Sequence, residues 1–382
     1  MAQALVLLPG EAGQGAAHLP WWSSSLPAPA RAARVGDDTR AAVALGRARA
    51  GEGLAFFGDW HGARQLLAAM GRRLDPARPR RPGLAELFLA ERETRRTERE
   101  VLSRLAVPVG PGWRSPLRRA PALEAPLGEA FGDAPTGPAL MPLREILGAI
   151  GAHEWRRRGV PVPALGGRVH PYYGVFAPVR GEYVELFQKV LLARRPAFPD
   201  GFLAFDVGTG TGVLALLLAR QGARVVGTDQ DPRAVLCARD NAARFGVERQ
   251  VEVLEADLFP DGRARLVVAN PPWIPAEAHG PLDRAVYDPG GELLARLVRG
   301  LPGHLEEDGE AWLVLSDLAE LLGLRPEGTV LALAEAAGLE VASVHEERPL
   351  HPRAREGGDP IARARSRERT RLYVLRPSAP RG

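Results

Sequence analysis

The sequence predicts an α/β fold: a doubly wound, mostly parallel seven-stranded sheet with an antiparallel edge hairpin, preceded by a mainly helical N-terminal domain. Two observations carry that prediction. Over the C-terminal half, short apolar runs alternate with helical stretches, the pattern of strand-helix-strand units. In addition, Asp206, Asp229, Asp257, Asn270 and Asp317 each stand where one of those runs ends. Sheets of this kind bind ligands beyond the carboxyl ends of their strands.

Residues 1–105 read as a mainly helical region for substrate recognition. Leu54 to Leu74 carries apolar residues at helical spacing, with Leu66, Leu67 and Met70 on one side. Gly83 to Leu105 reads as a second amphipathic helix with a densely charged face. Residues 106–140 hold so many Pro and Gly that they read as a linker or long loop. Residues 141–200 restart a helix in "LREILGAIGAHEWRRRG", then give short extended pieces and a further helix from about Gly181.

Residues 201–378 hold the sheet. "FLAFDVG" is its first strand, "GVLALLLARQG" a helix closed by Gly222, and "ARVVGTD" the second strand. The next helix has Asp231 as N-cap, Pro232 at its first position and Gly246 as terminator. "VEVLEAD", "RLVVAN", "EAWLVLSD", "LEVASVHEE" and "TRLYVLRP" are the remaining strands, with "GGELLARLVRGL" and "GTVLALAEAAG" as intervening helices. The last two strands lack a helix between them and read as the edge hairpin.

Composition narrows the class. The 382 residues are 45% hydrophobic and 25% charged, as in an ordinary globular protein with room for two domains. One cysteine, Cys237, excludes an internal disulfide framework and fits a reducing cytoplasm. No apolar run reaches membrane-spanning length, and no basic residue precedes the apolar run at the N-terminus, so a cytoplasmic protein without a membrane partner is expected. The net charge of +4 is carried almost wholly by arginine, Lys189 being the only lysine. Arginine suits phosphate, but a GC-rich genome gives the same composition, so charge alone names no nucleic-acid partner. The eight histidines and one cysteine show no metal-ligand spacing, and no metal is expected.

The sharpest local feature is "FDVGTGTGVLAL". Gly208, Gly210 and Gly212 follow the first strand, where alternate glycines let backbone pass close to a ligand. A nicotinamide fingerprint needs G-x-G-x-x-G, but the sixth position counted from Gly208 is Val213. Asp229 ends the next strand, placed for ribose hydroxyls, and Asp257 follows the third, placed for an adenine edge. At these residues the chain resembles the class I S-adenosylmethionine-dependent methyltransferases. The resemblance implies S-adenosylmethionine as cofactor, held by Asp206, Gly208, Thr209, Gly210, Gly212, Asp229 and Asp257.

The fourth strand runs into Asn270-Pro271-Pro272-Trp273. In the resembling fold this tetrapeptide faces the transferred methyl group and matches the (Asn/Asp)-Pro-Pro-aromatic signature of enzymes that methylate planar nitrogens. Asn270 and the Pro271 carbonyl would accept the N–H groups of the acceptor, the prolines would stiffen the loop, and Trp273 would stack on the acceptor plane. The chain resembles the HemK-type family, which methylates a glutamine amide in peptide release factors, over about Val169 to Asp317. Pro178 and Glu182 keep that family's Pro-x-x-x-Glu spacing, which implies a cofactor-side role for Pro178. The family has Tyr where this chain has Trp273. Related small-domain RNA methyltransferases share the loop, so the acceptor is read as either a protein glutamine amide or a nucleobase amine, and the partner as a protein or RNA. The alternatives are a nicotinamide-dependent oxidoreductase and a non-catalytic nucleic-acid-binding module.

Other residues read as secondary. His61 and His170 are more often structural than catalytic at such positions, and Tyr172, Tyr173 and Phe176 are candidate cleft residues. The arginine-rich connection before the last strand is a candidate grip on RNA or an acidic protein surface. Asp317 has either a structural or a substrate role.

Overall fold

A computed structural model describes residues 4–9, 16–24, 26–74, 83–179, 181–278, 281–348 and 360–378. The chain divides into two compact units: residues 1–81 with 89–154, and residues 82–88 with 155–382.

The second unit contains the expected sheet. Its strands and helices are β1 (Leu203–Val207), α1 (Val213–Arg220), β2 (Arg224–Asp229), α2 (Pro232–Arg244), β3 (Val251–Glu255), β4 (Ala264–Ala269), α3 (Glu292–His304), β5 (Leu305–Ser316), α4 (Thr329–Ala336), β6 (Leu339–Glu347), α5 (Pro360–Arg367) and β7 (Thr370–Pro377). The seven strands lie in the order β3-β2-β1-β4-β5-β7-β6. All neighbours are parallel except the two pairs that involve β7. The chain runs outward from β1 through β2 and β3, then returns to place β4 on the other side of β1. This reversal is the topological switch point, where side chains leaving β1 and β4 open onto one crevice.

The central strands are covered on both faces and so read as continuous apolar runs. Ala204, Leu266 and Val268 turn to one face, packing with Phe187 of helix Glu182–Arg194, with α1 and with Trp312. Their neighbours Phe205 and Val267 turn to the other, against Leu297, Leu301 and Val330 of α3 and α4. The period of two along a strand sends adjacent residues into separate cores.

The last two strands pair antiparallel at the edge as expected, with β7 between β5 and β6. One expectation is corrected here: α5 stands between those two strands where no helix was expected. The arginine-rich connection is thereby split: 360–367 is helical, while 349–359 lies outside the described residues.

The first unit differs more. Beside its helices it carries a four-stranded sheet of its own, formed in order by Ala32–Val35, Gly53–Phe56, Leu105–Val109 and Ala139–Pro142, which the sequence reading did not expect. Leu54 to Leu74 is therefore a strand followed by helix Trp60–Gly71, not one helix. Nor is 106–140 a linker, since it supplies most of one strand, helix Glu124–Phe131 and the start of another strand. The reason is physical. All four strands span only four or five residues, and three of them are buried at every position. Short, fully buried strands show no alternation, and periodicity cannot separate them from helix. The Pro and Gly residues between them make turns, as at Gly112 and Gly132, which have φ of +65° and +77°.

Candidate functional site

The segment Gly208 to Gly212 turns from β1 into α1 as a tight loop. The N–H groups of Gly208 and Thr209 both donate to the carbonyl of Thr228 on β2, at 2.9 and 2.8 Å. Gly208 and Gly210 have φ of +74° and +55°, and a Cβ on either would meet nothing within 4 Å. Backbone conformation rather than crowding demands glycine there, and the open side is a cleft of about 510 Å³. The cleft is walled by this loop, by Asp229, by Asp257 and Leu258, by Asn270 to Pro272, and by Gly174 to Phe176.

Asp206, at the end of β1, is buried, and one of its oxygens accepts from Thr209 Oγ1 at 2.7 Å and from the Ala215 N–H at 3.0 Å. Burial pushes its pKa from an ordinary 3.8 up to about 6, against those two hydrogen bonds. A folded-state pKa above the unfolded value means that the folded protein holds the proton more tightly. The resulting stability is complete below about pH 4 and is lost as pH rises through about 6, a difference of roughly 3 kcal/mol. Asp206→Asn keeps the acceptor and removes the titration. Its stability relative to wild type is therefore expected to rise between pH 4 and pH 7, read from urea midpoints; a constant difference would exclude this role.

Asp229 ends β2 and binds the loop directly. One oxygen accepts from the Gly210 N–H and the other from the Asp231 N–H, each at 3.0 Å. Burial raises its pKa, and these bonds oppose the rise. Each carboxylate oxygen keeps a lone pair for a hydroxyl in the cleft. Asp257 is more open and holds Arg296 Nη2 at 2.6 Å. Next to it, Leu258 has φ of +75°, and its carbonyl accepts from the Thr228 hydroxyl.

Several expected residues fall elsewhere. Pro178 is buried but does not line the cleft; Gly174, Val175 and Phe176 of the same segment do. Tyr172 and Tyr173 do not line it either, and Tyr172 lies under the Arg156 guanidinium at 3.9 Å. His170 is structural: its N–H donates to Asn241 Oδ1 at 2.8 Å, and Nδ1 meets the Arg156 carbonyl at 2.6 Å. His61 belongs to the other unit, where its N–H is capped by Asp59. Asp317 accepts from the Arg369 N–H at 2.7 Å and faces Arg371 at 3.4 Å, which fixes the entry to β7. Burial pushes the Cys237 thiol up to about 12, so it is no nucleophile near neutral pH. Among the described residues no group of His, Cys, Asp and Glu could hold a metal ion.

Other cleft residues had no motif to announce them. Tyr183 sits in the first turn of helix Glu182–Arg194 and lines the cleft, its hydroxyl pKa raised by burial and by the charges of Asp206 and Glu182. Arg233 also lines it, bound to Asp231 through Nε and Nη2 at 3.1 and 2.8 Å. Asn241 is buried behind the loop and donates to the Thr211 carbonyl at 3.0 Å, so it ties the loop to the segment that starts at His170. Asn241 and Asn270 are the only asparagines in the chain.

Asn270 leaves β4 at the switch point, and Pro271 and Pro272 follow along the cleft wall. Trp273 does not line the cleft. It lines a second pocket of about 230 Å³ on the other side of the loop, together with Leu294, Arg325 and Leu333. The half-buried indole packs against three apolar clusters and does not stand on the cleft wall where stacking on an acceptor was expected. Its N–H and carbonyl are both fixed, by the Val286 carbonyl at 3.1 Å and by Arg325 Nη1 at 3.2 Å. The indole Nε1–H donates to Asn270 Oδ1 at 2.8 Å.

With this geometry in hand, likeness to known proteins becomes specific. Residues 197–273 match the family model described as ribosomal protein L11 methyltransferase. The chain is similar to the ribosomal protein L11 methyltransferase of Pelotomaculum thermopropionicum, 39% identical over 150 residues, which cover 38% of this chain and 41% of that protein. It is also similar to the release factor glutamine methyltransferase of Cereibacter sphaeroides, 36% identical over 155 residues, 36% of this chain and 53% of that protein. Among solved structures, the ribosomal protein L11 methylase of Lactobacillus delbrueckii subsp. bulgaricus aligns with a TM-score of 0.35 at 20% identity, over 52% of this chain and 77% of that one. The chain spans about half or less of the length of these two curated relatives. The sheet order and the glycine loop are those of the class I methyltransferase fold. No helix among the described residues is long and apolar enough to cross a membrane.

Proposed function

We propose that this chain is an S-adenosylmethionine-dependent N-methyltransferase acting on a planar nitrogen, either a protein glutamine amide or a nucleobase exocyclic amine. One observation carries the reading: the glycine loop and the Asn270-Pro271-Pro272 turn wall the same cleft from the two strands that meet at the switch point. Bound there, S-adenosylmethionine supplies an electrophilic methyl group on a sulfonium. Asp229 would hold the ribose hydroxyls, the open side of Gly208 and Gly210 would take the methionine end, and Asp257 would meet the adenine. Asn270 Oδ1 retains one lone pair beside its bond to the indole, and among the described residues no donor meets the Pro271 carbonyl. Together they would accept the two N–H groups of a flat NH₂, fixing the nitrogen in line for attack. Pro271 and Pro272 add no competing N–H donors and keep the loop stiff.

The partner follows from the acceptor: a protein of the kind named in the relatives, or an RNA. Incubating the protein with methyl-labelled S-adenosylmethionine and extract from a strain lacking the gene tests both. Label in an acid-stable protein or RNA fraction is the expected result. Binding of NAD without binding of S-adenosylmethionine, measured by calorimetry, would overturn the proposal.

A further inference from the structure

We infer that Trp273 is a positioning residue, whose indole N–H fixes the rotation of the Asn270 side-chain amide at the cleft. The inference rests on the methyl-transfer reading of that cleft and assigns Trp273 a task other than stacking. An indole nitrogen is a donor only, so the Asn270 atom that it meets must be the carbonyl oxygen. That settles which way the amide lies, because an oxygen and a nitrogen at the end of an asparagine are otherwise interchangeable. Among the described residues the indole is the one hydrogen-bond partner of the Asn270 side chain, so this single contact sets its rotation.

The indole itself is held firmly enough to serve. Backbone bonds to Val286 and Arg325 fix the residue at both ends. Arg325 is buried, and its other arm donates to the Ser316 carbonyl at 3.0 Å, which ties the Trp273 carbonyl to the end of β5. The ring stands edge-on to Tyr183, with centroids 6.5 Å apart and planes at 87°. Tyr183 lines the cofactor cleft, while Trp273 lines the pocket behind the loop. Asn270 is therefore oriented from behind, leaving its cleft side free for an acceptor.

The two-asparagine composition offers a test that needs no substrate. Protein grown with ¹⁵N-asparagine should give two side-chain amide pairs, and Asn270→Ala identifies one by removing it. In Trp273→Phe, which loses the donor and keeps an aromatic ring, the Asn270 pair is expected to move and to exchange faster with solvent. The Asn241 pair, which reports on an intact loop, is expected to stay. In the labelling assay Trp273→Phe should lower turnover about 10-fold, the scale of one neutral hydrogen bond, with cofactor affinity unchanged. In the Asn270→Ala background the same substitution should cost nothing further, because the group it orients is gone. An unmoved Asn270 pair, or a second full loss in the double variant, overturns the inference and leaves Trp273 as packing. Failure of wild-type protein to label any extract component, with the Asn270 pair still moving in Trp273→Phe, overturns the methyl-transfer reading instead.

Discussion

Asn270→Ala is expected to bind S-adenosylmethionine as wild type does and to lose turnover by roughly 10²-fold or more, the scale found when a hydrogen-bonding partner of a transition state is removed. The side chain lies on the cleft wall, just beyond the last residue of β4, and no contact in the glycine loop depends on it. An amide nitrogen or an exocyclic amine attacks poorly because its lone pair is delocalised. On the proposed reading, holding its N–H groups at Asn270 Oδ1 and the Pro271 carbonyl would orient that lone pair toward the methyl group, so the loss is expected to fall on turnover and not on cofactor affinity. Calorimetry and the labelling assay separate the two quantities. Unchanged turnover would refute the acceptor role of Asn270.

Asp229→Ala should fail in the opposite way, weakening S-adenosylmethionine by about 10²-fold. That is the scale expected for losing hydrogen bonds to one charged group. Because Asp229 also binds the Gly210 N–H at 3.0 Å, the alanine variant frees the loop as well as removing the carboxylate. Asp229→Asn keeps one acceptor for Gly210 and should recover part of the affinity. If Asp229→Ala binds S-adenosylmethionine with wild-type affinity in calorimetry, the ribose assignment is wrong.

The two substitutions probe the two halves of one crevice, and their expected effects differ because of where β1, β2 and β4 lie. β1 pairs with β2 on one side and with β4 on the other. On the proposed reading, cofactor contacts would gather at β2 and the glycine loop, and acceptor contacts at β4. Asp206 lies between them, buried beneath the loop, and its carboxylate serves the loop's shape without lining the crevice alone.

Much of this was legible in the residues themselves. Central strands buried on both faces must be apolar throughout, so "FLAFDVG" and "RLVVAN" announce themselves as strands. Asp231, Pro232 and Gly246 bracket α2 because helix ends need a side-chain acceptor, a preset φ and a left-handed stop. The glycine loop and Asn270 were legible for the same kind of reason: each residue type answers a local demand of backbone or chemistry.

What the sequence by itself determined is the doubly wound sheet, the positions of its strand ends and the residue types gathered there. Only the tertiary structure decided that the N-terminal unit has its own sheet, that Pro178 does not line the cleft, and that Trp273 does not line it either. The difference is one of range. Amphipathic period, caps and glycine conformations act within a few residues. The partners that turn Trp273 are Arg325, fifty-two positions away, and Tyr183, ninety positions away, and no local pattern encodes contacts at that separation.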